Sequence, residues 1–420
     1  MIIVENRIYH IGEFDSRINV GVVTAANPLV KYLKRMGLNV HYITFDNLPK
    51  IKGLKVYKFI SSLNQYFPRI KLTRYLRNLW AIRAIQELDK EAMLHIHSFT
   101  LLPQLLQSQV IPKKVLLTFY GGHFGIVDVF GNTNPYYLRT ILNIPDVIII
   151  DDFDRGMLLE KVHAHFPDYE EVIKKKMVKF PFLGVDEEVF NSKNRTPHLW
   201  YKQNIHKDGL VIFKGGSIEA VKGDSLLIEI AERILSRRKD IYFVWGGYFR
   251  SYPRDEQAAL RAEMESLCKK YPGNAFYMGK YENNQLPSLL KGADVIPHFH
   301  MKKVSCISTF GREALMMGNY MLISNIGWYR DFLGESKGIR FFEWDDDEKI
   351  VKNALDELIY LADNLEETRK KGPENRKYAL KYCSANISAQ QHKMIYEALA
   401  NDEAMPTTEE LLSIAQKVGE

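Results

Sequence analysis

Leu210–Val211–Ile212–Phe213 runs directly into Lys214–Gly215–Gly216–Ser217, and Lys222–Gly223–Asp224 then opens a helical pattern over Ser225–Ser236. A strand leads into glycines, then a lysine, then a helix start. Close backbone approach, a point charge and open N–H donors are together what a diphosphate needs. The same spacing also serves a tight strand–helix turn with a solvated lysine.

Working outward, the cycle repeats. Ile241–Trp245, Ala275–Met278, Ala293–Pro297 and Tyr320–Ser324 read as strands in the second half, and Asn39–Asp46, Leu54–Ile60, Met93–Ser98, Lys114–Tyr120 and Val147–Asp152 in the first. They are rich in Val, Ile, Tyr and Phe and end in polar or turn residues. Helical patterns lie between them, such as Pro28–Met36, closed by Gly37. This alternation predicts two parallel sheets covered by helices, one per half. The polar stretch Asn191–Lys207 reads as the linker. Helices are expected over Lys370–Ala400, started at Pro373, and over Thr407–Gly419, opened by a Thr407-x-x-Glu410 capping box. The expected division is 1–190, 191–385 and a C-terminal helical part, 386–420, packing back on the first domain. Ligands of doubly wound domains bind at the carboxyl edges of the strands, so a phosphorylated ligand between the domains is the first expectation.

Composition removes other classes. With 46% apolar and 12% aromatic residues the 420-residue chain is not disordered, and its longest purely apolar runs are too short to span a membrane. No secretory pattern opens the chain, and Cys268, Cys306 and Cys383 show no metal-like spacing, so a reducing, intracellular setting is expected. The net charge of +6 is uneven: residues 1–200 hold 26 Lys and Arg against 19 Asp and Glu, residues 201–420 hold 31 against 32. A surplus of seven over 200 residues with no reading module argues against nucleic acid as the partner.

A second signal is Ser305–Cys306–Ile307–Ser308–Thr309–Phe310–Gly311–Arg312–Glu313–Ala314–Leu315–Met316–Met317–Gly318, followed directly by a strand. Glu313 is expected about two turns into a helix at a sheet's carboxyl edge, where a carboxylate can accept two sugar hydroxyls. A surface glutamate is the plainer alternative.

These segments resemble retaining glycosyltransferases of the GT-B fold, family 4. Lys222–Gly223 matches the family's Lys-Gly, and Glu313–Ala314–Leu315–Met316–Met317–Gly318 matches the second Glu of its Glu-x7-Glu signature and the tail behind it. Gly184–Val185–Asp186 with Phe190 is similar to its hinge, Gly279 with Leu286, Leu290, Ala293 and Asp294 to its Gly…Leu…Ala-Asp passage, Gly21 to its glycine loop, and His95–Ile96–His97 to its His-x-His strand end. Departures stand beside the matches. Gly216 occupies the place of an arginine six residues before Lys222, Ser305 replaces the first Glu, and Tyr120 stands where a histidine often follows the Thr118–Phe119 strand, with His123 three residues on. Lys214 or Arg312 is the nearest substitute for the missing cation.

The resemblance implies two Rossmann-like domains facing across a cleft, with a C-terminal helix crossing back. It implies a hexosyltransferase using a nucleotide-sugar such as a UDP-sugar, with no metal and no further cofactor. In that reading Lys222 faces the β-phosphate, and Gly21, Lys214, Gly215, Gly216, Ser305, Ile307, Ser308, Thr309 and Arg312 line the donor. Glu313 holds the ribose. His97, Tyr120 and His123 are candidates for acceptor positioning or proton handling, with a packed or capping role as the alternative for each. The acceptor is a glycan or lipid-linked hydroxyl, as in polysaccharide biosynthesis. Arg69, Lys71, Arg74 and Arg77, interleaved with apolar residues, suit an anionic membrane face, a lipid-linked phosphate acceptor or a solvated helix face packed on the domain. The expected location is cytoplasmic, at the inner face of the cell membrane. The rival is a catalytically silent GT-B subunit that binds donor or glycan and supports a partner, with Gly216 and Ser305 as its evidence.

Overall fold

A computed structural model of the chain describes residues 7–11, 21–43, 82, 85–86, 88–97, 102–119, 135–179, 184–194, 205, 208–249, 254–299, 308–325, 330, 333, 336–343 and 346–417. The expected strand Leu54–Ile60, the basic residues Arg69, Lys71, Arg74 and Arg77, and Tyr120, His123, Ser305 and Ile307 lie outside them. The chain divides into two compact units, residues 1–184 with 385–420, and residues 185–384.

Unit 1 begins with β1 (Ile8–Ile11), α1 (Gly21–Arg35), β2 (Val40–Ile43) and β3 (Met93–Ile96). It continues through α2 (Leu102–Ser108), β4 (Lys114–Thr118), α3 (Pro135–Asn143), β5 (Val147–Ile150), α4 (Asp152–His165), α5 (Glu170–Lys176) and β6 (Met177–Lys179). The six strands form one sheet in the order β2-β1-β3-β4-β5-β6, all parallel. β3 and β5 are buried along their whole length, which is why they read as apolar runs rather than as an alternation. Helix α1 starts seven residues before Pro28 and carries Lys34 and Arg35 in its last turn, at the negative end of its dipole. It is closed by Gly37, whose φ of +83° is a left-handed conformation that favours glycine.

Unit 2 contains β7 (Leu210–Lys214), β8 (Ser217–Ile218), α6 (Asp224–Leu235), β9 (Ile241–Trp245), β10 (Tyr248–Phe249), α7 (Arg254–Lys270) and β11 (Ala275–Tyr277). Then follow α8 (Leu286–Lys291), β12 (Val295–His298), α9 (Thr309–Met317), β13 (Tyr320–Ser324), β14 (Ile339–Phe342), α10 (Asp347–Asp363) and α11 (Leu365–Tyr382). Its main sheet runs β11-β9-β7-β12-β13-β14, again parallel, and β8 pairs with β10 in a small second sheet. In both large sheets the order reverses once, between β1 and β3 and between β7 and β12. Those are the switch points beside which ligands of doubly wound sheets bind.

The chain returns to unit 1 with α12 (Ala385–Ala400) and α13 (Thr408–Lys417). α12 lies on α1 and sends Ala389, Ile395 and Tyr396 into a core shared with Leu29, Leu33, Met93 and Leu116. Ile395 and Tyr396 are wholly buried, and such burial contributes roughly 1.5–3 kcal/mol per side chain. α13 opens with a closed capping box: the Thr407 N–H donates to Glu410 Oε2 at 2.7 Å and the Glu410 N–H to Thr407 Oγ1 at 3.2 Å. The expected single helix Lys370–Ala400 is two helices, broken at Cys383–Ser384, and Pro373 lies inside α11 rather than at its start. Gly372 just before it allows α11 to approach the Gly318 turn, since a Cβ there would lie 2.4 Å from the Gly318 carbonyl oxygen. At the chain's two passages between units, the Val185 N–H donates to the Cys383 carbonyl at 2.7 Å and Val185 bridges Ser384. Arg376 holds this segment to unit 2 by donating to the Phe190, Glu187 and Met316 carbonyls. Among the described residues no helix is long and apolar enough to cross a membrane.

Candidate functional site

At the carboxyl end of β7 the chain turns through Gly215 and Gly216, the latter at φ +93°. The Gly216 N–H donates to the Tyr281 hydroxyl at 3.1 Å. Gly215 faces the ring of Phe310, 2.3 Å from where a Cβ would stand, so the first turn of α9 rests directly on this glycine. Phe213 packs edge-on against the same ring, with centroids 5.9 Å apart. The two sequence signals, 95 residues apart, are therefore one place.

The lysines at this edge have partners already. Lys214 is buried. Its ammonium lies 3.6 Å from Asp224 Oδ2 and donates to the Gly215 and Ser217 carbonyls. Burial raises the Asp224 carboxyl, and Lys214 pulls it down again. Lys222, on a short turn (Ala220–Lys222), stands 3.0 Å from Glu219 Oε1 and donates to Ser217 Oγ, whose own hydroxyl donates to Glu219 Oε1 at 2.5 Å. Gly223 follows at φ +75°, and a Cβ on it would lie 1.9 Å from the Phe299 carbonyl oxygen. Only glycine fits there on both counts. The Phe299 contact sets the turn carrying Lys222 against the end of β12, across the β7–β12 switch point.

α9 begins at Ser308, whose hydroxyl accepts the Gly311 N–H at 3.2 Å, and ends at Gly318 with φ +80°. The Arg312 guanidinium is buried and donates to Thr309 Oγ1 at 3.3 Å. Glu313 sits one turn into α9, not two, and is 7% exposed. Burial pushes its carboxyl up to about 8, with Arg312 pulling the other way. Burial and the nearby Glu313 charge both raise the Tyr281 phenol. His298, at the end of β12, is driven down to about 3 by burial and then by Lys214 and Lys222.

In unit 1, His97 follows β3 and is fully buried, Nε2 lying 2.9 Å from His10 Nδ1 on β1. Its pKa falls to about 3, through burial and then His392. Gly21 is the first residue of α1, where a backbone N–H has no partner within the helix.

Compared by sequence, the chain matches no protein-family model and no curated protein. Compared by structure, it is similar to a glycosyltransferase from Rickettsia africae ESF-5, with TM-score 0.63 and 15% identity over 95% of this chain and 99% of that one. It is similar to HepE of Anabaena, solved with UDP and glucose, with TM-score 0.61 and 12% identity over 94% and 100% of the two chains. Sucrose-phosphate synthase from Thermosynechococcus elongatus aligns with TM-score 0.60 and 15% identity over 95% and 100%.

The fold is GT-B.

Of the residues that the GT-B resemblance nominates in unit 2, the structure brings Lys214, Gly215, Gly216, Lys222, Ser308, Thr309, Arg312 and Glu313 to one sheet edge. Tyr281, Glu219, Ser217 and His298 also stand at this edge, and the sequence does not nominate them. Glu219 and Ser217 lay inside the deciding stretch, but nothing in their spacing marked them as the partners of Lys222. Tyr281 and His298 come from other turns of the chain, and only the sheet order places them here.

Proposed function

We propose that the protein is a retaining, family 4-like glycosyltransferase moving a sugar from a nucleotide-diphosphate sugar to a hydroxyl acceptor. The observation that carries this is the meeting of the Lys222 turn and the Glu313 helix over Gly215–Gly216, at the switch point of the unit 2 sheet. HepE, of the same fold, has been solved with UDP-glucose, which favours a UDP-sugar as donor.

In this reading Glu313 gives up its proton to solvent as two ribose hydroxyls donate to its carboxylate, and so fixes the nucleoside. The open N–H groups at the start of α9 and the Gly215–Gly216 backbone meet the diphosphate. Lys222 leaves Glu219 for the β-phosphate and stabilises the charge that grows there as the anomeric C–O bond breaks. The acceptor oxygen bonds to the anomeric carbon on the face the phosphate leaves, and its proton passes to the departing phosphate oxygen, giving retention with no metal required. Lys214, tied to Asp224, shapes the turn rather than replacing the missing arginine. Gly21, and Ser305 and Ile307 outside the described residues, keep their donor-side roles in the proposal. Tyr120 and His123, outside the described residues, keep acceptor-side ones, whereas His97, wholly buried beside His10, takes the packed role. A glycan or lipid-linked acceptor, met at the cytoplasmic membrane face through Arg69, Lys71, Arg74 and Arg77, completes it.

One observation favours a second reading. Lys222 is already held by Glu219 and Ser217, and Gly216 brings no cation, so a silent donor-binding subunit has the same ground state. Incubation with UDP-, GDP- and ADP-sugars, with and without membrane extract, separates the two. Release of nucleotide that drops roughly 100- to 1,000-fold in Lys222→Ala supports transfer. Donor binding without release under any condition leaves the silent subunit.

A further inference from the structure

Unit 1 buries four histidines together. His10 stands on β1, His95 on β3 directly opposite it in the ladder, His97 just beyond, and His392 on α12 with its ring stacked 5.6 Å from that of His95. We propose that His10, His95 and His97 form a binding site for a divalent transition-metal ion of the Zn2+ type, supported by the Tyr396 hydroxyl.

Geometry comes first. One ring nitrogen from each of the three lies within 4.8 Å of the others, and no other such group of His, Cys, Asp or Glu occurs among the described residues. His10 Nδ1 and His97 Nε2 face each other at 2.9 Å. With both rings neutral, at most one proton lies between them, so at least one lone pair already points into the cluster. A cation replaces that shared proton by tautomer change alone: His10 moves its proton to Nε2 and His97 to Nδ1, with none released. The second requirement of a histidine ligand is a hydroxyl, carboxylate or carbonyl on its other nitrogen. The Tyr396 hydroxyl lies 2.7 Å from His95 Nδ1 and 3.4 Å from His10 Nε2, and Thr118 Oγ1 lies 2.6 Å from His95 Nε2. One nitrogen of His95 turns to the ion while the other keeps its hydroxyl.

The electrostatics agree. Burial first, then neighbouring histidines, hold all three imidazoles well below their usual pKa, and no carboxylate figures among the groups acting on them. They are neutral at physiological pH, the form that ligates. An all-imidazole set selects Zn2+, Cu2+, Ni2+ or Co2+ over Mg2+ and Ca2+. The location is the β1–β3 switch point, under the helix that returns from unit 2, so the ion would clamp two strands whose neighbour Tyr396 belongs to α12.

The test uses the full chain without a histidine tag, produced in medium supplemented with Zn2+ or Co2+ so that the buried site fills during folding. One ion per chain as isolated, the visible bands of four-coordinate Co2+, and a rise in melting temperature over chelator-treated protein are expected. His10→Gln and His97→Gln should each lose the ion, while the surface pair His163→Gln/His165→Gln keeps it. Should the first two variants fail to fold, Tyr396→Phe keeps all three imidazoles and should weaken retention against a chelator roughly 10- to 100-fold. A wild type without ion and without cobalt bands overturns the proposal, as does an ion lost only with the surface pair.

Discussion

Glu313, which the proposal places on the ribose, is a buried carboxyl that costs the fold stability. Its folded pKa of about 8 lies above the ordinary 4.5, so its effect is neutral below about pH 4.5 and grows unfavourable as pH rises toward 8. At pH 7 the difference amounts to about 3 kcal/mol. Glu313→Gln should therefore raise stability near neutrality by up to about that amount and flatten the decline between pH 5 and 8, both read by urea unfolding. The same variant should lose UDP binding in calorimetry, because an amide offers the ribose one acceptor oxygen in place of two. A gain in stability with binding unchanged would remove Glu313 from the donor site. Gly223 is the opposite kind of residue. Gly223→Ala places a Cβ against the Phe299 backbone at positive φ and should cost on the order of 3 kcal/mol, seen as a lowered urea midpoint.

At the scale of elements, strands read best where they are most apolar. Ile241–Trp245 and Tyr320–Ser324 are found at their expected bounds. Ile8–Ile11 was not foreseen, because a four-residue strand with a histidine in it carries no apolar run, although the structure buries that histidine completely. Helix ends were legible where a local motif closes them, as at Gly37, Gly318 and Thr407. Thr407→Ala should cost about 1 kcal/mol, with faster amide exchange confined to α13 as the signature. Pro373 reads as a helix start but lies inside α11, where Gly372 packs on the Gly318 turn 54 residues earlier, a contact that no local pattern reports.

At the scale of the whole molecule, unit 2 is one continuous segment whose two ends meet through Val185 and Cys383. Unit 1 is assembled from both ends of the chain. A fragment spanning 185–384 should fold alone with a cooperative melt by circular dichroism. Residues 1–184 without 385–420 should not, since Ala389, Ile395, Tyr396 and Leu399 complete the core over β1 and β3. Adding the 385–420 peptide in trans should restore the melt in part.

The sequence by itself determined the parallel α/β architecture and the two segments that make the candidate donor site. Those follow from short-range periodicity, glycine conformations and spacing, all of which act within a few residues. Only the tertiary structure decided that Glu219 and Ser217 hold Lys222, that Tyr281 stands on Gly216 near Glu313, and that His97 is a buried neighbour of His10. Its contact with His10, 87 positions before it, and the influence of His392, 295 after it, exist because strand order, not sequence order, sets which side chains meet. Burial then changes their chemistry, since desolvation acts on the assembled environment and leaves no trace in local sequence.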